Sequence, residues 1–220
     1  MAELSRFAHY PEKVRQPETL RAYAILSSAH ASASSFLDAF DGAGTELDSD
    51  TREDLLRAML IFAGAGLDSM AKQLVRDAMA QVIQLQDGAR ENLRDFVERR
   101  LRRDDPQAVR LLAIALTSNQ PRAELISELV DELTGGSLQS AEELSRLAAY
   151  FDVPTVELIP DFKLLSTIFA VRNQIAHELD ADFSQDAGHR RPRERDEMVD
   201  YATELFRVAG KLLAAVEARV

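Results

Sequence analysis

From Thr51 to Leu85 the chain runs for about 35 residues without a proline, and Leu55, Met59, Phe62, Gly66, Met70 and Leu74 recur along it near the α-helical period. A helix of that length spans about 50 Å. With 9 Gly and 7 Pro, few for this length, and Ala and Leu recurring throughout, the composition favours helices over a sheet, and this segment fits an all-α fold. "DSDTREDLL" supplies Asp and Ser caps at its start. In its middle stand Ala63, Gly64, Ala65 and Gly66. Each helical glycine costs about 1 kcal/mol relative to alanine, and close approach of a neighbouring helix is the expected compensation.

Three further long helices are expected. The first runs from Pro17 to Phe40, with proline near its first turn and Glu18 behind it. Another runs from Asp161 to about Leu179. The last covers Glu194 to Ala218, where Met198, Ala202, Leu205, Ala209, Leu212 and Val216 follow a 4-3-4-3-4 spacing. Between residues 89 and 157 lie shorter periodic stretches, Glu91–Arg102, Gln107–Leu116, Arg122–Leu133 and Ala141–Tyr150, separated by "DDP", "SNQP" and "GGSLQS". They read as a helical insertion or cap within a single domain over 1–220. Setting them aside leaves an antiparallel four-helix bundle, with the short helices inserted between the second and third core helices.

Composition narrows the function. Apolar residues make up 46% of the chain, enough for a real core. There is no cysteine, which removes disulfides and thiolate metal sites together. "MAELSRFAHYPEKVRQPETL" has no apolar leader segment, and no run approaches a membrane-spanning length. A cytoplasmic protein with no membrane partner is expected. The net charge of −11 counts against a protein that coats nucleic acid, but it is compatible with a small basic cleft. Two basic clusters, "ERRLRRDD" (98–105) and "HRRPRER" (189–195), read as a solvated helix end and a solvated loop.

The third long helix is the unusual one. At about 100° per residue, Val171, Leu164, Ile175, Ile168, Leu179, Leu165, Ala176, Phe169 and Phe162 fill half of its wheel, and Arg172 falls in the centre of that half. Asn173 and His177, spaced i,i+4, lie at the edge of the apolar arc. A guanidinium cannot discard its charge, so burial without a partner costs several kcal/mol. Arg172 must therefore meet a buried acid, for which Asp68 is one candidate, or stand where two bodies meet around an anion.

"RNQIAH" (172–177) resembles the Arg-x4-His signature of the HEPN superfamily, the higher-eukaryote and prokaryote nucleotide-binding domains. The flanking "AGAGLDSMAKQLV" and "SLQSAEELSRLAAYFDVP" segments and the closing amphipathic helix are also similar, so the likeness spans nearly the whole chain. It implies the ribonuclease-like branch of that superfamily. It implies a homodimer of four-helix bundles, two motifs facing one cleft, and cleavage of an RNA substrate with no metal and no cofactor. Arg172 and His177 would be the catalytic pair and Asn173 the residue that positions them. The resemblance further implies a toxin or phage-defence effector restrained by an antitoxin or defence-system partner protein.

The residue types suit that chemistry. RNA carries its own nucleophile, the 2′-OH, so a protein need only move protons and stabilise charge. Histidine titrates near neutrality, and arginine offers a permanent charge and a forked donor set for phosphate oxygens. On one helix, positions 172 and 177 are about 140° apart and about 7.5 Å apart along the axis. Two chains about a two-fold axis would let one chain's His meet the other's Arg.

Other classes remain. A non-catalytic nucleotide- or protein-binding module fits the acidic charge. A helix-turn-helix through "SAEELSRLAAYFDVPT" is disfavoured, because "VELIPD" follows it in place of a basic recognition helix. His9, His30 and His189 carry no argument beyond core or surface placement.

Overall fold

A computed structural model describes residues 14–43, 48–102, 106–182 and 189–220. His9, and the residues at 44–47 within the expected break after the first helix, lie outside them. The architecture is all-helical. α1 (Pro17–Gly42) and α2 (Ser49–Leu85) are followed by α3 (Asp87–Arg102), α4 (Pro106–Thr117), α5 (Pro121–Gly135), α6 (Ala141–Tyr150) and α7 (Thr155–Leu158). Then come α8 (Phe162–Glu178) and α9 (Arg195–Glu217). Between the last two, Ala181–Asp182 and His189–Arg190 form a two-residue antiparallel ladder. Among the described residues no helix is long and apolar enough to cross a membrane.

The helix starts follow from their caps. Asp48 accepts the Thr51 amide at 2.9 Å and Asp161 accepts the Leu164 amide at 2.8 Å. Ser140 does the same for Glu143, whose carboxylate reaches back to the Gln139 amide. Only Gln86 separates α2 from α3. The four-residue α7 lies in "PTVELIPD", which the sequence pattern treats as a connection.

α2 is the axis of the molecule and packs against α1, α9 and α8, as well as α3 and α5. α1 and α2 are antiparallel, because Arg21 meets Asp77, Ala29 faces Gly66 and the Phe36 ring stands 5.2 Å from that of Phe62. Gly66 is required by that approach: a Cβ there would collide with the Ala29 Cβ. α9 runs antiparallel to α1. Glu217 at its end accepts the amides of Arg15 and Gln16, and Arg195 at its start forks onto Asp41 at 2.7 and 2.6 Å.

The buried faces are wider than the sequence stripe. In α2, Leu56, Leu60, Leu67 and Ala71 are buried beside Met59, Met70 and Leu74, whereas Phe62 is 42% exposed and Leu55 half-buried. A helix enclosed on several sides buries adjacent pairs of positions, which a single-stripe reading misses. All six expected positions of α9 are buried, joined by Val199, Phe206, Val208 and Leu213. The short helices add to the same core through Phe96, Leu129, Leu133, Leu144, Leu147 and Phe151.

Candidate active site

α8 is positioned by its own buried face. Leu165, Ile168, Phe169, Arg172 and Ile175 are its buried residues, an arc of about 120° with Arg172 at the midpoint. The expected half-wheel is trimmed at both edges. Phe162, Leu164 and Ala176 are exposed and Val171 is half-buried. Leu179 lies beyond the helix at the C-cap, in the left-handed region with φ 52° and 75% exposed. The helix therefore stops one residue before the apolar pattern does.

Arg172 is 8% exposed. Its stem lies across Gly64 of α2, where a Cβ would stand 3.4 Å from the Arg172 Cγ and 3.5 Å from Nε. The small-residue block thus makes room for an arginine as well as for a helix. The guanidinium forms no ion pair among the described residues. Nη1 donates to the Asn173 Oδ1 at 3.1 Å, and Nε is buried without a hydrogen-bond partner. Asp68 is near enough to act only through space. Its carboxylate is held by Lys72 at 2.9 Å and by the Leu138 amide at 2.7 Å. Burial lowers the Arg172 pKa from its ordinary value and the Asp68 charge opposes that shift. Of the two options for this arginine, a carboxylate partner is the one not observed.

Asn173 is half-buried beside Arg172, and His177, a turn later, is exposed. The three candidate residues therefore share the C-terminal half of one helix. Arg172 faces inward to α2 and His177 faces solvent. The two side chains therefore do not converge on one point within this chain.

Sequence reasoning missed the device that holds this helix end. Asp180 is fully buried with φ 58°. Its amide donates to the Gln174 carbonyl at 3.1 Å and its carbonyl accepts the Arg191 amide at 2.9 Å. The carboxylate receives Arg57 Nε at 2.9 Å and Arg193 Nε at 2.8 Å, with Arg193 Nη2 as a further donor. Arg193 also reaches the Gln174 side chain at 3.2 Å. Arg57 in turn holds Glu53, Asp54 and the Arg191 carbonyl. Burial pushes the Asp180 carboxyl up, but the hydrogen bonds and charges of Arg193 and Arg57 outweigh it and hold the pKa below the usual carboxylate value. The hub ties the end of α8 to the start of α2 and to the lead-in of α9. On the apolar stripe read from the sequence of α2, Arg57 falls on the opposite side beside Glu53 and Asp54, so no local signal marked it.

The "HRRPRER" cluster is consequently no solvated loop. Arg190 pairs with Asp54 at 2.6 Å, Arg191 approaches Glu178 at 3.7 Å, Arg193 grips Asp180 and Arg195 grips Asp41. Of the helix-end cluster, residues 103–105 lie outside the described residues; Arg99 reaches the Tyr150 hydroxyl at 3.2 Å and Arg100 pairs with Glu132, whereas Leu101 and Arg102 are exposed as a solvated helix end should be. His30 is half-buried with its ring edge-on to Phe206, and burial lowers its pKa. Among the described residues no group of three or more His, Cys, Asp or Glu side chains is placed to hold a metal ion.

Compared with protein-family models, curated proteins and solved structures, the chain matches none of them.

Proposed function

We propose that this chain is a metal-independent endoribonuclease of the HEPN kind, acting as a homodimer of four-helix bundles in which residues 89–157 form a cap. The observation that carries the reading is Arg172, a guanidinium at the centre of a buried helix face with no carboxylate partner and an unsatisfied Nε. A structural arginine that deep normally has its charge paired. One held on an uncharged bed of Gly64 and bonded only to an amide oxygen is a donor set awaiting an anion.

Two copies arranged about a two-fold axis would place two arginines and two histidines around one phosphodiester. One His177 takes the proton of the 2′-OH as the 2′-oxygen bonds to phosphorus. The other gives a proton to the 5′-oxygen as the P–O5′ bond breaks, so a 2′,3′-cyclic phosphate and a 5′-OH result. Arg172 stabilises the charge on the non-bridging oxygens, with Asn173 aiming it. Leu179, exposed two residues past His177, would lie at the seam with the second copy. A nuclease of this type harms its own cell if unrestrained, which fits a toxin or phage-defence effector kept in check by an antitoxin or defence-system partner.

The test is cleavage of single-stranded RNA in EDTA by wild type and His177→Ala. The expected result is cyclic-phosphate ends from wild type and loss of cleavage in the variant, with the same sedimenting mass. A variant that cuts at the wild-type rate overturns the reading. Nucleotide binding with no cleavage anywhere between about pH 5 and 9 assigns the non-catalytic module, to which the net charge of −11 lends weight.

A further inference from the structure

Arg172 has a carboxylate for a neighbour and not for a partner. Asp68 stands one turn along α2 from Gly64, the residue under the Arg172 stem, about 6 Å further along the same face. It is not free to turn to the guanidinium. Lys72 Nζ holds one of its oxygens at 2.9 Å and the Leu138 amide holds the other at 2.7 Å. Both Asp68 and Lys72 are mostly buried. Among the described residues the charge that acts on Arg172 is that of Asp68, and it opposes the effect of burial. Other charges nearby are paired or turned away. Arg57 and Arg193 close on Asp180, and Arg191 approaches Glu178. On α8 itself Lys163 lies about 180° round from Arg172 and Glu178 about 120°. The "GGSLQS" loop that carries the Leu138 amide has no charge. An anion seated on the Arg172 guanidinium therefore meets one fixed cation and, close by, one fixed carboxylate that Lys72 partly offsets.

We propose that Asp68 makes the Arg172 site selective for singly charged phosphodiesters over doubly charged phosphate monoesters. Internal RNA linkages then bind, whereas phosphate ends, mononucleotides and free phosphate compete weakly. The inference rests on Arg172 being the anion site proposed above, and it adds what that site discriminates against. Attraction to one guanidinium grows in proportion to the ligand's charge. The cost of taking the ligand out of water grows as the square of that charge, and beside a guanidinium this deeply buried that cost is large. Asp68 adds a repulsion that doubles for the dianion, and because it is pinned it cannot withdraw as the anion arrives. A site for terminal phosphate groups would carry a second cation where Asp68 stands. In the two-fold arrangement each Arg172 brings its own Asp68, so the balance is the same. Doubly charged ions such as sulfate still bind, but at higher concentration.

The experiment is equilibrium binding to the full chain at about pH 8 in EDTA, where a phosphate monoester has lost its second proton. The probes are deoxycytidine 3′-phosphate and its methyl ester. They share base and sugar, differ by one charge, and lack the 2′-OH, so neither can be cut. Wild type should bind the singly charged methyl ester more tightly. Asp68→Asn keeps an oxygen for the Leu138 amide and removes the charge. It should tighten both ligands, the dianion by the square of the factor for the monoanion, so that a gain of about three-fold for one is about nine-fold for the other. Lys72→Met bares the Asp68 charge and should weaken both, again the dianion more. Wild type that prefers the dianion, or variants that change both ligands by the same factor, overturns the inference and leaves Arg172 an anion site. No binding by wild type, or binding that survives Arg172→Met, overturns the anion site as well. Neither readout needs catalysis, so RNA cleavage by wild type and His177→Ala tests the nuclease reading separately.

Discussion

Arg172 of α8 lies over Gly64 of α2, its Cγ 3.4 Å and its Nε 3.5 Å from the position a Gly64 Cβ would occupy. Those are ordinary contact distances. Gly64→Ala should therefore fold, and the gain in helix propensity should offset any tightness, leaving stability equal or higher by up to about 1 kcal/mol. Gly64→Leu has no such room. It should displace the guanidinium and abolish cleavage while the helical circular dichroism persists. Gly66→Ala, two residues on, meets Ala29 of α1 and should cost about 1–3 kcal/mol. Urea denaturation of the three variants checks the contrast; equal loss in Gly64→Ala and Gly66→Ala would count against this packing.

Replacing Arg172 separates a functional arginine from a structural one. Its burial is uncompensated, with Nε unsatisfied and the pKa lowered by desolvation despite Asp68. Arg172→Met should leave stability unchanged or raise it by about 1 kcal/mol while removing activity. Sulfate should raise the Tm of wild type by mass action and not that of the variant. A variant destabilised by several kcal/mol would mean that the arginine serves the fold.

Asp180 should behave in the opposite way. Asp180→Asn leaves Arg193 without its carboxylate and weakens the hold of Arg57, a loss of about 3 kcal/mol or more. The sign of the pH dependence follows from its depressed folded-state pKa. The stabilisation is complete above the unfolded carboxyl value of about 3.9 and is lost as pH falls through the lower folded value. The stability gap between wild type and Asp180→Asn should thus be constant from about pH 5 to 7 and close in acid. A gap that widens on acidification would contradict it.

Leu179 occupies the left-handed region, which costs a non-glycine residue about 1–2 kcal/mol, and its side chain is exposed. Leu179→Gly should raise subunit stability by about 1 kcal/mol or less, since glycine also loses more entropy on folding. If Leu179 lines the seam with a second copy at α8, the same variant should dissociate at higher protein concentration than wild type. Thermal unfolding and sedimentation read the two effects separately.

What the sequence determined by itself is what depends on neighbours along the chain. The direction of a helical side chain is set by its own turn, so the periods of α2, α8 and α9, the cap at the start of α2 and the central place of Arg172 were all legible. Tertiary structure alone decided which of those faces met and what each charge found there. Arg57 and Asp180 are 123 residues apart, and nothing local to either announces the other. Asp68 could have answered Arg172, yet α2's own Lys72 and the Leu138 amide hold its carboxylate. Leu164, Ala176 and Leu179 of the expected arc stand in solvent, which apolar character alone cannot report. Pairing and burial are relations between distant segments, and only the assembled core supplies the second member.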